Sequence, residues 1–189
     1  MAEALLDRAL WDRGVHADVR SAGRLRGGRG TTPENEAVMG RRGIDLTGHR
    51  STQATAAMVR DADLVLGMAR EHVQDALDLA PAAFPRCFTL KEIVRRAEQV
   101  GARLPTESLR EWLDQVGAGR DRSELAGSSP DDDVDDPIGQ SEASYERVAA
   151  EVAGLTTRLV DLAWPADDGS PPGAGAPATP EPLAWTDTD

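Results

Sequence analysis

Tyr145, Val148, Val152, Leu155, Leu159 and Leu162 fall at steps of three and four, one unbroken apolar stripe of a helix facing a core. The pairs Leu5/Ala9 and Leu6/Leu10 repeat at i, i+4 and predict a second helix over residues 2–13, with Gly14 suited to its end. Thr32 and Pro33 supply an N-cap and first-turn residue for a helix running to Gly43. Val15 to Ala22 alternates enough to predict a short strand, and Asp63-Leu-Val-Leu-Gly-Met68 has the length and apolar content of a buried parallel one. A helix is expected over 70–79, then a strand over 86–90, then helices over 91–100 and 106–116. A long polar connection follows and ends in Asp131-Asp-Asp-Val-Asp-Asp136-Pro137. Strands alternating with helices imply an α/β fold, a parallel sheet with right-handed crossovers; no internal repeat is present.

Composition divides the chain. Residues 1–164 are enough for one domain with a real core. Half of the twelve prolines lie between Pro165 and Pro182, among Gly, Ala, Ser and Thr, so residues 165–189 are expected to be a disordered acidic tail. Trp185 is the one tail residue able to anchor a partner, although a lone tail tryptophan is more often incidental. The net charge is −12; the tail holds five acids and no bases, leaving 28 acids against 21 bases, or −7, elsewhere. Residues 1–60 are mildly basic, with ten Arg against seven acids. An acidic protein makes a poor nucleic-acid binder, and Arg24-Leu-Arg-Gly-Gly-Arg-Gly30 reads as a flexible loop before it reads as an RNA contact.

Cys87 is the only cysteine, so neither a disulfide framework nor a thiolate metal cluster is available. Three scattered histidines give no metal spacing, and no cofactor is expected. No apolar run approaches a membrane span and no leader pattern opens the chain, so a cytoplasmic location is expected. One lysine against twenty arginines points to a GC-rich bacterial genome.

Five pieces stand in a telling order: Met-Ala-Glu-Ala-Leu-Leu at 1–6, Ser-Ala-Gly at 21–23, Gly-Ile-Asp-Leu-Thr-Gly-His at 43–49, Asp-Ala-Asp-Leu-Val-Leu-Gly-Met at 61–68 with Arg70-Glu71-His72, and Asp-Pro-Ile-Gly at 136–139. Together with the last helix they resemble the low-molecular-weight protein tyrosine phosphatases over residues 1–164. The resemblance implies a Rossmann-like parallel sheet flanked by helices, of four strands in that family. It also implies hydrolysis of phosphotyrosine, in a protein or a small aryl phosphate, through a cysteinyl-phosphate. In the family a Cys-x5-Arg loop at a helix N-terminus holds thiolate and phosphate dianion with convergent backbone N–H groups, and its arginine clamps the equatorial oxygens. An aspartic acid protonates the leaving phenolate and then activates water.

The resemblance assigns that acid to Asp136, which Pro137 restricts to extended geometry. Five Asp within 131–136 are expected to disfavour ionisation of any one of them, and Asp131–Asp133 are expected to be merely solvated. His49 matches a histidine that steadies the phosphate loop, with a helix-entry or surface role as the alternative. His16 and His72 are expected at the surface. Ile138 stands at the substrate rim where many members carry an aromatic ring, which weakens the aryl preference. The nucleophile has no counterpart: Ile93 stands six residues after Cys87, and Cys87 lies inside a predicted strand, as a buried structural residue would.

The leading expectation is a phosphatase whose recorded start is an internal methionine, with an apolar strand, central in the sheet, and Cys-x5-Arg-Ser/Thr-Pro encoded upstream. The alternative is a catalytically inactive binding module or remnant. An arsenate reductase of the same fold relays disulfides among several cysteines, and one cysteine argues against it.

Overall fold

The computed structural model describes residues 1–166. Five of the seven α-helices among the described residues begin where the sequence supplies a capping oxygen. Thr32, Thr55, Thr89, Ser108 and Ser141 are all extended, and each accepts the N–H three residues on. Each satisfies a donor that a first helical turn leaves open. The elements are α1 (Ala2–Asp12), α2 (Pro33–Arg41), α3 (Ala56–Asp61), β1 (Val65–Gly67), α4 (Arg70–Leu79), β2 (Cys87–Thr89), α5 (Leu90–Val100), α6 (Leu109–Val116) and α7 (Glu142–Ala163). Short 3-10 turns occupy Pro81–Arg86 and Arg122–Leu125.

β1 and β2 pair in parallel, Val65 against Cys87, Leu66 against Phe88 and Gly67 against Thr89. α4 makes the crossover between them, as parallel neighbours require. Gly67 ends β1 where α4 folds back onto it. A Cβ there would lie 2.9 Å from Val73 Cγ2 and 3.0 Å from the Ala69 carbonyl oxygen, so no larger residue fits.

The sheet has a core on each face. Cys87 and Phe88 are adjacent in β2 and fully buried in different clusters, as the period-two alternation of a strand dictates. Phe88 joins the larger one with Leu90, Ile93, Trp112 and Val148, Val152, Leu155 and Leu159 of α7. Tyr145, Val148, Val152, Leu155 and Leu159 of that stripe are buried and Leu162 is half-buried. α7 packs against α1, α2 and α5. Cys87 joins Val59, Val73 and Leu77. Burial pushes its thiol up to about 12, Arg120 acting against the shift and Glu92 adding to it.

The strand expected over 15–22 does not form. Val15 and Val19 are half-buried, but no neighbouring strand offers this backbone a ladder, and only Gly23 makes an isolated parallel bridge, to Gln53. Alternation alone cannot hold a strand whose hydrogen bonds have no partner. The sheet among the described residues therefore has two strands. α3 and the two 3-10 turns carry too little periodicity to be read from sequence. The disorder expected of the tail, and Trp185 with it, fall on 167–189, outside the described residues.

The acidic connection corrects a second expectation. Asp132 is not solvated: it is 6% exposed and sits between two arginines. Arg70 donates through Nε and Nη2 to its Oδ2 at 2.8 and 2.6 Å, and Arg95 donates through Nη1 to Oδ1 at 2.8 Å. Burial works against the charged form, yet the hydrogen bonds and charges of Arg95 and Arg70 outweigh it and hold the carboxyl below the usual carboxylate range. Asp133 takes the Arg70 and Ser129 N–H groups at 2.8 Å each. The Val134 N–H donates to the Met68 carbonyl at 2.7 Å, which fastens the connection to the end of β1.

Two outcomes follow from these buried groups. Asp132→Asn is expected to destabilise the protein by about 2–3 kcal/mol in urea unfolding, less than the roughly 3–5 kcal/mol for a fully buried pair because both arginines keep some water. A change within about 0.5 kcal/mol would return Asp132 to the solvated class. A thiol reagent at neutral pH should label Cys87 only once urea unfolds the chain, and rapid labelling of the folded protein would contradict its burial.

Candidate active site

Open α/β sheets present their ligand sites beyond the carboxyl ends of the strands. At that end of β1 the Met68 carbonyl holds Val134, and two residues further on the chain reaches Asp136. Asp136 is exposed. Its Oδ1 accepts the Ile138 N–H at 3.0 Å, and its carbonyl accepts Gln140 Nε2 at 2.7 Å. The Gln140 N–H returns to the Pro137 carbonyl at 2.9 Å, closing a tight turn over Asp-Pro-Ile-Gly. Oδ2 has no protein partner among the described residues, so one carboxylate oxygen faces outward from a braced turn. Ile138 is 70% exposed at the tip of the same turn.

The crowd of like charges expected around Asp136 is answered elsewhere. Asp132 is held by Arg70 and Arg95, Asp133 by two backbone N–H groups, and Asp135 by Arg147 Nη2 at 3.3 Å.

His49 arrives by a different route. The chain leaves α2 through Gly43, the Ile44 N–H returns to the Met39 carbonyl at 3.0 Å, and Leu46 is buried as the anchor of the next turn. Asp45 Oδ1 accepts the Thr47 N–H at 2.9 Å and its hydroxyl at 2.7 Å, bonds that hold the Asp45 carboxyl below its ordinary range. The His49 N–H closes on Leu46 at 3.0 Å. These bonds aim the imidazole at the first turn of α1, where Nδ1 lies 3.6 Å from Glu3 Oε2. Ser21 Oγ donates to the same oxygen at 2.5 Å. The Glu3 carboxylate also lies where a helix N-terminus favours negative charge.

Three of the five sequence pieces (1–6, 21–23 and 43–49) thus converge on Glu3, and the other two (61–68 and 136–139) converge on the carboxyl end of β1. No hydrogen bond or ion pair joins Asp136 to His49 among the described residues. His72 Nδ1 accepts the Ala69 N–H at 3.2 Å and caps α4, and His16 is exposed, edge-on to Trp11. No group of three or more His, Cys, Asp or Glu among the described residues could hold a metal ion.

Sequence reasoning gave no role to Glu3, Ser21, Arg70, Arg95 or Asp132. One signal for the last was present. Val134 is an apolar residue in an acidic run, a sign that this connection packs against the core at that point and does not stand wholly in solvent.

Comparisons with known proteins agree with this architecture. The chain is similar to the low molecular weight protein tyrosine phosphatase from T. tengcongensis, with 25% identity, 85% of this chain and 87% of that one covered, and a TM-score of 0.62. A low molecular weight protein tyrosine phosphatase from Bacillus subtilis shares 26% identity, with 85% of each chain covered and a TM-score of 0.61. The YwlE arginine phosphatase from Geobacillus stearothermophilus shares 25%, with 85% and 80% covered and a TM-score of 0.58. No curated protein matches the chain. The family described as low molecular weight phosphotyrosine protein phosphatase matches residues 1–117, and the chain belongs to that family.

Proposed function

We propose that this chain supplies the acid–base and supporting half of a phosphomonoesterase that acts on phosphotyrosine in proteins or on small aryl phosphates. The observation that carries this reading is the braced turn at the carboxyl end of β1. It presents Asp136 outward while Val134, Asp132 and Asp133 fix its base. In this role Asp136 protonates the phenolate oxygen as the P–O bond breaks, then takes a proton from the water that attacks the phosphoenzyme. Asp136 is needed because a phenolate leaves poorly unprotonated. His49, held beside Glu3 and Ser21 at the start of α1, steadies the phosphate-binding loop that precedes this helix in the family. Ile138 forms an apolar rim for the leaving group.

The nucleophile of this chemistry in the family is a thiolate, and Cys87 is the only cysteine among these 189 residues. Cys87 does not serve: burial pushes its thiol up to about 12, and Ile93 occupies the place of the clamp arginine. A second reading keeps the cysteinyl-phosphate and changes the substrate to phosphoarginine, so that the bond broken is P–N and the atom Asp136 protonates is the departing guanidine nitrogen. Ile138 offers no ring to stack on a tyrosine, and the similar YwlE from Geobacillus stearothermophilus is an arginine phosphatase.

The chain of 189 residues alone is expected to leave an aryl phosphate near its uncatalysed rate of hydrolysis, because positioning and charge stabilisation supply most phosphoryl-transfer acceleration. Turnover by the purified chain that disappears in Asp136→Ala would overturn the assignment of the nucleophile. When a family strand and Cys-x5-Arg loop are joined ahead of Met1, Asp136→Asn should lower turnover of phenyl phosphate by about 10²–10⁴-fold. The loss should shrink for acidic leaving groups, and Asp131→Asn, exposed and unpaired in its side chain, should change little. Equal losses at Asp131 and Asp136 would remove Asp136 from the acid role. In that joined chain, a larger kcat/KM for phosphoarginine than for phosphotyrosine would select the second substrate.

A further inference from the structure

The arginine-rich segment Arg24-Leu-Arg-Gly-Gly-Arg-Gly30 has no part in the chemistry above, yet the fold holds it in a defined place. It lies beside residues 51–53: the Gly28 N–H donates to the Ser51 carbonyl at 2.7 Å, the Ser51 N–H to the Arg29 carbonyl at 2.8 Å, and the Gly23 N–H to the Thr52 carbonyl at 2.9 Å. Gly27 makes this approach possible, since a Cβ there would sit 2.6 Å from the Ser51 carbonyl oxygen. Arg50 alone separates residues 51–53 from His49, and Ala22 and Gly23 separate the segment from Ser21, whose hydroxyl is bonded to Glu3. The backbone that carries these arginines is thus continuous, through Ser21 on one side and His49–Arg50 on the other, with the Glu3–Ser21–His49 cluster at the start of α1.

Their charges are largely unanswered. Arg24, Arg26, Arg29 and Arg50 are all exposed. Arg24 meets Asp75 at 3.4 Å, and Arg50 donates only to the carbonyls of Thr47 and His49. Arg26 and Arg29 make no side-chain hydrogen bond or ion pair among the described residues. Elsewhere on this acidic protein most exposed arginines sit against carboxylates, as Arg41 does against Glu142 and Glu146 and Arg158 does against Glu98. Leu25, between Arg24 and Arg26, is 69% exposed.

We propose that this loop is a docking surface for an acidic polypeptide segment, the stretch of Asp and Glu flanking the phosphorylated residue of a protein substrate. The inference rests on the reading of the start of α1 as the phosphate end of the site, and it names the substrate class that site receives. Guanidinium groups on a short, backbone-anchored loop fit carboxylates spaced along an extended chain, and Leu25 adds an apolar contact between them. Nucleic acid is the weaker fit, because the loop and residues 50–53 hold no aromatic side chain for bases to stack on.

The test uses the 189-residue chain and unphosphorylated, fluorescently labelled peptides, so the readout does not pass through catalysis. An Asp/Glu-rich twelve-residue peptide should bind at low salt, while a peptide of the same length with Asn and Gln in place of the acids should not. The double variant Arg26→Gln/Arg29→Gln should weaken binding by about tenfold, as the loss of two exposed ion pairs implies, and flatten the salt dependence. Arg158→Gln, an arginine outside the loop, should leave binding unchanged. Equal binding of the two peptides, indifference to the double variant, or tighter binding of a single-stranded RNA at the same ionic strength would each overturn the proposal. Because no step depends on a phosphate site, its failure leaves the phosphatase reading standing, and failure of the hydrolysis experiments leaves the peptide result interpretable.

Discussion

The grip of Arg70 and Arg95 on the Asp132 carboxylate is the interaction on which the rest of the site depends. One guanidinium comes from the first turn of α4 and the other from α5, so a single buried charge ties the connection before α7 to both helices that follow the strands. The cost of burying Asp132 is offset because both oxygens receive charge-assisted hydrogen bonds. The Val134–Met68 bond then adds this connection to the end of β1, and the position of Asp136 follows from it two residues later. Asp136 itself makes no such ties, and that contrast suits its proposed role. A group that exchanges a proton with substrate has to remain accessible, while its neighbours keep it in place.

A similar division runs through the other half of the site. Glu3 gathers Ser21 and His49 from loops far apart in sequence, and the turn over 43–49 is pinned by Leu46 in the core and by the Asp45–Thr47 bonds. The rigid parts are buried or capped, and the groups proposed to meet a substrate stand at the ends of short turns. Ligand sites on α/β folds are built this way because the sheet fixes where the loops begin and leaves their tips free to vary.

Much of the fold was legible because it rests on local signals. The 3.6 period of α7 and the Thr32-Pro33 cap of α2 place their elements without tertiary information, and the apolar run at 63–68 marks the parallel strand β1, although its Val65 and Leu66 are only half-buried. The failure at 15–22 has a plain cause: Val15 and Val19 give the right alternation, but a strand exists only with a hydrogen-bonding neighbour, which no local pattern reports. α3, at six residues, falls below the length at which periodicity speaks.

At the site, residue type was legible and environment was not. The Asp-Pro-Ile-Gly turn and His49 stood out as pieces of a recognisable order, whereas Asp132 looked like one more charge in an acidic run. Its burial depends on Arg70 and Arg95, 62 and 37 residues away, and pairing at that distance leaves no mark on a composition. The most direct test of the central claim is to follow the Val134 amide resonance as pH is lowered from neutrality. A carboxyl held below its ordinary range contributes stability that is present above the unfolded value, about 3.9, and is lost only as pH falls through the lower folded value. The Val134 signal should therefore stay at its folded position through pH 4 and move only below the usual carboxylate range, when Asp132 takes up a proton. A shift centred at or above pH 4 would show that Asp132 titrates as a solvated acid and that the two arginines do not hold the site together.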